Sequence, residues 1–135
     1  MHLRRVILTH PLRAVAMIAL AACVASMSAC LGDNDTPTMK VQGGDVTRGA
    51  RAIDKYGCGS CHVIPGIRDA RGMVGPPLTA FGRRTIIAGR VLNDADSLEH
   101  WIRAPQEIEP GTAMPNLNVT EQDARDIAAY LLSLH

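Results

Sequence analysis

The residues most suited to chemistry lie in the segment from Cys58 to His62, which reads CGSCH. Two thiols three positions apart, followed at once by an imidazole, form the pattern C-x-x-C-H. The thiols can add to the two vinyl groups of one porphyrin, and the imidazole then lies under the iron, where its Nε2 can ligate the metal. The pattern predicts one covalently attached c-type haem, held by Cys58 and Cys61, with His62 as an axial ligand.

A C-x-x-C pair by itself is less specific, because zinc sites and thioredoxin-like redox centres also contain it. A zinc site requires a second pair of ligands, and no other cysteine pair follows residue 30. A thioredoxin-like centre requires a β-α-β context, which the sequence does not indicate. The histidine directly after the pair favours haem over both alternatives.

The first 29 residues have the organisation of an export signal. Three arginines precede an apolar run from 14 to 24, which is too short to favour a membrane-spanning helix. The run leads into the letters MSAC, which resemble a bacterial lipobox with Met in place of the usual Leu. We therefore expect residues 1–29 to be a lipoprotein-type signal peptide and Cys30 to carry lipid. The alternatives are an unmodified cysteine near an ordinary cleavage site, or an uncleaved anchor.

The four cysteines are then accounted for without a disulfide, since Cys23 leaves with the signal, Cys30 takes lipid and the remaining two take haem. Export agrees with this, because bacteria attach c-type haem outside the cytoplasm. Removing the three arginines of the signal leaves 11 basic and 13 acidic residues, and no basic run survives. We therefore predict a protein on the periplasmic side of a bacterial membrane, with no nucleic-acid partner.

The rest of the chain is expected to form a lipidated, flexible tether over 30–44 and one domain over 45–135. Asp45 is a good N-cap for a helix that runs to about Tyr56, and Thr120 for a C-terminal helix. That second helix has an apolar face with i, i+3, i+4, i+7 spacing, formed by Ile127, Tyr130, Leu131 and Leu134.

Gly49 lies inside the first helix, where glycine is unfavourable unless another helix approaches closely. Tyr130 is the residue expected to pack over it, and the alternative is that both helix faces simply contact haem. A short helix is predicted from Leu98 to Arg103, capped by Asp96 or Ser97 and stopped by Pro105. No segment alternates with period two, so the fold class is all-α with long loops. Aromatic residues are few, and haem would supply the apolar surface for Leu78, Leu98, Ile102, Leu117 and Leu131.

An ordered set of motifs follows the first helix: Gly75-Pro76-Pro77-Leu78, Leu98-x-x-Trp101-Ile102 and Pro110-Gly111-Thr112-Ala113-Met114-Pro115. With C-x-x-C-H and the C-terminal helix, this set resembles the class I cytochromes c. The resemblance implies the class I cytochrome c fold, in which the N- and C-terminal helices cross over a covalently bound haem. Ile64-Pro65-Gly66-Ile67 and Trp101-Ile102-Arg103-x-Pro105-Gln106 look more narrowly like the cytochrome c domains associated with haem–copper terminal oxidases.

The resemblance implies roles for single residues. Met114 would be the sixth iron ligand, although Met39 and Met73 are rivals and Met114 would otherwise fill the core. The Pro76 carbonyl would accept a hydrogen bond from Nδ1 of His62. The resemblance also implies that Leu78 packs on the haem and that Trp101 lies beside the axial methionine or packs on the haem. Thr112 would donate a hydrogen bond to a propionate. Arg83 or Arg84 would compensate the propionate charge, or would be solvated surface residues.

Filled axial positions leave no open site for substrate or O₂, so the expected function is single-electron transfer rather than enzymatic catalysis. The expected partners are an upstream electron donor and a membrane-bound respiratory complex, namely a haem–copper oxidase. The alternatives are an electron-relay subunit of a periplasmic dehydrogenase and a five-coordinate gas-binding or peroxidatic haem protein. The haem edge is expected to be surrounded by Val63, Ile64, Pro65, Ala113 and Pro115, with few lysines for charge steering.

Overall fold

The computed structural model describes residues 40–135, and Cys30, the predicted signal peptide and most of the predicted tether lie outside this range. Four α-helices, two short strands and two 3-10 turns follow one another along the described chain. In chain order they are α1 (Val46–Lys55), a 3-10 turn (Cys58–Ser60), a second 3-10 turn (Phe81–Arg83), β1 (Ile86–Ile87), β2 (Val91–Leu92), α2 (Ala95–Arg103), α3 (Pro105–Ile108) and α4 (Glu121–Leu132).

Helices α1 and α4 begin at the caps that the sequence predicted. The backbone N–H of Arg48 donates to Oδ1 of Asp45 at 2.7 Å, and the N–H of Asp123 donates to Oγ1 of Thr120 at 3.2 Å. Each cap satisfies a backbone donor that the first turn of a helix leaves without a partner. The carboxylate of Asp123 accepts hydrogen bonds from the Tyr56 hydroxyl and from Nζ of Lys55, so it connects α4 to the end of α1.

The two helices cross at Gly49, and only a hydrogen atom fits there. A Cβ built on Gly49 would lie 2.1 Å from the carbonyl oxygen of Asp126 and 2.9 Å from Cβ of Tyr130. The close approach predicted from Gly49 is therefore present, and the backbone of α4 comes even nearer than the tyrosine. From its second turn onward α4 is buried on nearly all of its faces. Its buried residues are Ala124, Asp126, Ile127, Ala128, Ala129, Tyr130, Leu131 and Leu132.

A buried carboxylate accompanies this crossing. Asp126 is 1% exposed, and its carboxylate accepts from Nε of Arg48 at 2.7 Å and from Nη2 of Arg48 at 2.8 Å. It also accepts from the backbone N–H of Asp45 at 2.8 Å. The guanidinium of Arg48 holds the pKa of the Asp126 carboxyl below its usual range. This ion pair ties the start of α1 to the middle of α4, and no pattern in the sequence indicates it.

The packed part of the chain begins before Asp45. Val41 is 7% exposed, and a Cβ on Gly44 would lie 2.8 Å from the carbonyl oxygen of Arg125. The carbonyl of Gly43 accepts from Nε2 of Gln122 at 3.0 Å. Residues 41–44 therefore lie against α4, whereas the sequence placed them in a flexible tether.

The middle of the chain departs from the prediction at one helix. Asp94 caps α2 by accepting from the backbone N–H of Ser97 at 2.9 Å, so the helix begins at Ala95 and not at Leu98. Asp96 and Ser97 lie inside the first turn. Pro105 does not only stop α2 but begins α3, since its fixed φ and missing N–H suit the first helical position.

Strand content is small, as predicted for an all-α protein with long loops. The antiparallel pair β1–β2 aligns Ile86 with Leu92 and Ile87 with Val91. Ala88 and Gly89 both have positive φ in the connecting turn. Among residues 40–135 there is no helix of sufficient length and hydrophobicity to cross a membrane.

Candidate haem site

A cavity of about 590 Å³ lies beside the α1–α4 crossing. Helices α1, α2 and α4 contribute apolar side chains to its wall, and the loops after α1, around the β-hairpin and before α4 form the rest. Trp101 lines the cavity. So do the five aliphatic residues that were predicted to pack against haem: Leu78, Leu98, Ile102, Leu117 and Leu131. A space of this size and character is typical of a small-molecule or cofactor site.

The C-x-x-C-H segment reaches the cavity through a sharp turn at the end of α1. Gly57 has φ of 69°, a left-handed conformation that glycine adopts without strain. The 3-10 turn then brings both cysteine side chains to the wall, where they are unpaired thiols. Burial raises the pKa of the Cys58 thiol. The structure therefore brings Cys58, Cys61 and His62 to one cavity, as covalent attachment of a porphyrin requires.

The imidazole of His62 is fixed by the loop that follows. Its Nδ1 lies 2.8 Å from the carbonyl oxygen of Pro76, the contact that the resemblance implied for Pro76. A Cβ on Gly75 would lie 2.3 Å from Cε1 of the ring, so the backbone of this loop packs directly on the imidazole. A donor hydrogen bond from Nδ1 leaves Nε2 as the nitrogen available to a metal.

Met114 lines the same cavity from a different loop. Its backbone N–H donates to Oγ1 of Thr112 at 3.1 Å, and its carbonyl accepts from Nε2 of Gln106 at 2.7 Å. Of the rival methionines, Met73 is 90% exposed and does not line the cavity, and Met39 lies outside the described residues. The structure thus brings His62 and Met114 to one space from two separate loops.

The predicted propionate contacts separate into two groups. Thr112 and Arg84 line the cavity, whereas Arg83 is exposed and lies outside its wall. The guanidinium of Arg84 stacks on the ring of Phe81, 4.8 Å from its centroid, and donates to the carbonyl of Pro77. The sequence alone did not show which of these two adjacent arginines faces the haem site. The 3-10 turn at Phe81–Arg83 brings Arg84 to the cavity wall and leaves Arg83 outside it.

Some functional contacts had no clear sequence pattern. Asn93 is buried, and its Nδ2 donates to the carbonyls of Phe81 at 3.0 Å and Arg84 at 3.1 Å, which fixes the turn that carries Arg84. Gln106 belongs to the Trp101–Gln106 motif, but its hydrogen bond to the Met114 carbonyl was not predicted. Glu109 also lines the cavity, paired with Arg90.

The expected surroundings of the haem edge need one correction. Ile64 is 2% exposed and belongs to the core, because its side chain points inward beside the cavity. Val63 and Pro65 are partly buried, and Ala113 and Pro115 are exposed. Ala113 and Pro115 line the wall as predicted, and Val74, Ile86 and Leu117 are further exposed apolar residues there.

The residues present fit a covalently attached haem. The wall is largely apolar, as the macrocycle requires, and it holds two thiols, an imidazole and a thioether of the kinds that bind haem c. Arg84 is the one arginine or lysine among the described residues of the wall, and it forms no ion pair in the described part of the chain. It suits the carboxylates at the polar edge of a porphyrin.

Comparison with known proteins agrees with this fit. The family model described as Cytochrome c matches residues 46–135. The chain is 38% identical over 88 residues to cytochrome c oxidase subunit 2 of Alkalihalophilus pseudofirmus, a match that covers 64% of this chain and 25% of the relative. It is 31% identical over 93 residues to cytochrome c oxidase subunit 2 of Bacillus sp. strain PS3, covering 66% of this chain and 26% of the relative.

The chain thus spans about a quarter of the length of the curated relatives that it matches. No solved structure matches it significantly. The family match covers most of the described residues, from the start of α1 to residue 135. This range contains the C-x-x-C-H segment, all four helices and the residues that line the cavity. The chain belongs to the cytochrome c family.

Proposed function

We propose that this protein is a monohaem electron carrier in which Cys58 and Cys61 hold the haem and His62 and Met114 are the axial ligands. One observation carries the proposal: these four side chains, from two separate loops, all line a single apolar cavity. Membership of the cytochrome c family implies haem c. The arrangement of these four residues supports one haem whose two axial positions are both filled by protein side chains.

The haem supplies the one-electron chemistry, and the chain determines how readily it occurs. Pro76 fixes the imidazole of His62 and increases its basicity through the hydrogen bond to Nδ1. A neutral thioether at Met114 favours the ferrous state, which raises the reduction potential. With both ligands in place no position remains for O₂ or substrate, so electrons pass through the exposed edge of the cavity.

The partner that we propose is a membrane-bound haem–copper oxidase. The supporting observation is that the similar stretch of both relatives belongs to a protein named cytochrome c oxidase subunit 2. We propose further that Cys30 is lipidated and tethers the domain on the periplasmic side of the membrane, on the basis of the lipobox-like MSAC sequence. An upstream donor would reduce the haem at the same edge.

The geometry at the start of the domain is compatible with a tether at Cys30. Residues 43 and 44 lie against Arg125 and Ala129 of α4, while Ile127 and Leu131 line the cavity. These two pairs are on opposite faces of the helix, since each residue turns by about 100°. A tether that enters there leaves the cavity side free for a partner. The ten residues from 31 to 40 would span at most about 35 Å.

The surface around the cavity favours apolar docking over charge steering. Val74 is 74% exposed, and Ala113 and Pro115 are exposed on the Met114 loop. The whole chain contains two lysines, Lys40 and Lys55. Confinement to a membrane raises the effective concentration of a membrane-bound partner, so weak apolar contacts suffice.

The test of the ligand assignment is the absorption spectrum of the haem-loaded protein and of Met114→Ala. The wild type should be low-spin and show the far-red charge-transfer band of methionine bound to ferric iron. Met114→Ala should lose that band and have a lower reduction potential. The control is Met73→Ala, which removes an exposed methionine and should leave both properties unchanged. Loss of the band in Met73→Ala, with Met114→Ala unaffected, would refute the assignment.

A further inference from the structure

An ion pair connects the β-hairpin to the loop that carries Met114. The turn residues Ala88 and Gly89 form part of the cavity wall, and the next residue, Arg90, reaches across to Glu109 on the other side. Nε of Arg90 donates to Oε2 of Glu109. The contact therefore joins two segments that are 19 residues apart and that both line the cavity.

On the side of Glu109, the connection continues to the ligand loop. The carbonyl of Glu109 accepts from the backbone N–H of Thr112 at 3.0 Å, and Oγ1 of Thr112 accepts from the backbone N–H of Met114 at 3.1 Å. Two hydrogen bonds thus separate the backbone of Glu109 from that of Met114. A displacement of Glu109 would be transmitted to the methionine.

On the side of Arg90, the hairpin provides a fixed base. The backbone N–H of Arg90 donates to the carbonyl of Ile87 at 3.0 Å, and the N–H of Asn93 donates to the carbonyl of Thr85 at 2.9 Å. The buried amide of Asn93 holds the preceding turn through its two further hydrogen bonds. Arg90 therefore extends from a braced element toward the loop that carries Met114.

We propose that Arg90 and Glu109 are positioning residues, forming a latch that holds the loop from 109 to 114 against the hairpin and so keeps Met114 at the iron. The proposal rests on the proposed function, in which Met114 is an axial ligand. Neither side chain would be a ligand of the iron, and their effect would pass to Met114 through Thr112. The Arg90 guanidinium also holds the pKa of the Glu109 carboxyl below its usual range, so the pair stays ionised near neutral pH.

The latch should show itself most clearly in the ferric state, where a thioether is the weaker partner of iron. An external ligand can bind only when Met114 moves away, so its binding rate reports how often the loop opens. The side chains of Arg90 and Glu109 are 59% and 28% exposed. Exposed pairs contribute little energy, so the expected change is about two- to fivefold.

The experiment measures cyanide binding to the full-length, haem-loaded ferric protein. Glu109→Gln and Arg90→Gln should each raise the binding rate about two- to fivefold, and the double variant no further, because either change breaks the same contact. The reversed pair, Arg90→Glu with Glu109→Arg, should restore a slow rate. The control is Glu121→Gln, which breaks a comparable exposed pair with Arg125 away from the cavity.

Three results would overturn the latch: unchanged cyanide rates in the single variants, an equal rise in Glu121→Gln, or additive effects of the two changes. The far-red methionine band of the wild type separates this outcome from failure of the proposed function. A wild type without the band refutes ligation by Met114, and the latch with it. A wild type with the band, and variants that bind cyanide no faster, refutes the latch alone.

Discussion

The α1–α4 crossing and the cavity beside it are built on opposite principles. At the crossing, backbone meets backbone at Gly49, and the one buried charge, Asp126, has its hydrogen-bond partners within the protein. The cavity has about 590 Å³ between largely apolar walls, and its function depends on a group that the chain does not encode. The crossing is complete without a cofactor, whereas the cavity is completed by one.

This difference predicts that loss of covalent haem has the largest effect on stability. Without haem the largely apolar walls of this 590 Å³ cavity would either face water or have to collapse, and both cost free energy of folding. Domains of this size have only about 5 to 15 kcal/mol of stability to lose. Cys58→Ala with Cys61→Ala should therefore abolish the cooperative thermal transition, as measured by circular dichroism. A double variant without haem that unfolds as cooperatively as the wild type would contradict this view of the cavity.

The next largest effect is expected at the crossing. Gly49→Ala places a methyl group 2.1 Å from the carbonyl oxygen of Asp126, so the helices must separate. We expect a loss of about 3 kcal/mol of unfolding free energy by denaturant titration, despite the better helix propensity of alanine. The control is Gly111→Ala, where the new methyl group meets only Glu109 Oε1 at 3.8 Å and should be nearly neutral. Equal effects of the two substitutions would contradict the close contact.

Asp126→Asn tests the charge at the crossing and should cost about 2 kcal/mol, since hydrogen bonds to charged groups are lost. The pKa of Asp126 is lowered in the folded state by Arg48. Its contribution is therefore fully present above the unfolded pKa of about 3.9 and is lost as the pH falls through the lower folded value. The stability difference between wild type and variant should shrink below about pH 4. The control, Asp54→Asn, changes an exposed carboxylate that has no ion pair among the described residues.

A difference between wild type and Asp126→Asn that persists unchanged at the lowest pH where both remain folded would show that the carboxylate acts by shape and not by charge.

Substitutions at exposed residues of the cavity wall, such as Val74, should change the rate of electron transfer without changing the stability of the domain. Val74→Glu places a charge in the proposed apolar contact and should slow transfer to a membrane oxidase about fivefold or more. Leu92→Glu is the matched control, because Leu92 is 65% exposed but does not line the cavity. The measurement is stopped-flow oxidation of the reduced protein by oxidase-containing membranes. Equal slowing by both variants would place the docking surface elsewhere.

The parts of the molecule that the sequence predicted depend on neighbours along the chain. Asp45 and Thr120 cap helices through residues three positions on, and the prediction for Cys58, Cys61 and His62 rests on their spacing. These features need no knowledge of the tertiary fold, which is why the caps predicted for α1 and α4 are present in the structure. Gly49 was informative because glycine inside a helix requires a reason from outside it.

The parts that it could not predict depend on contacts between distant segments. Asp126 looks like a solvated residue on a helix until Arg48, 78 positions away, is placed beside it. Asp94, Asp96 and Ser97 are all residue types that favour the N-cap position, and only the structure shows that Asp94 caps α2. Ile64 was predicted to lie at the exposed haem edge, but its side chain is buried in the core beside the cavity.

Exposing the reduced protein to carbon monoxide shows whether protein side chains fill both axial positions of the haem. Because His62 and Met114 line the same cavity, the wild-type spectrum should remain low-spin and change little on addition of the gas. Met114→Ala should bind it readily. A high-spin wild type that binds carbon monoxide at once would contradict the electron-carrier proposal and favour a gas-binding or peroxidatic haem protein.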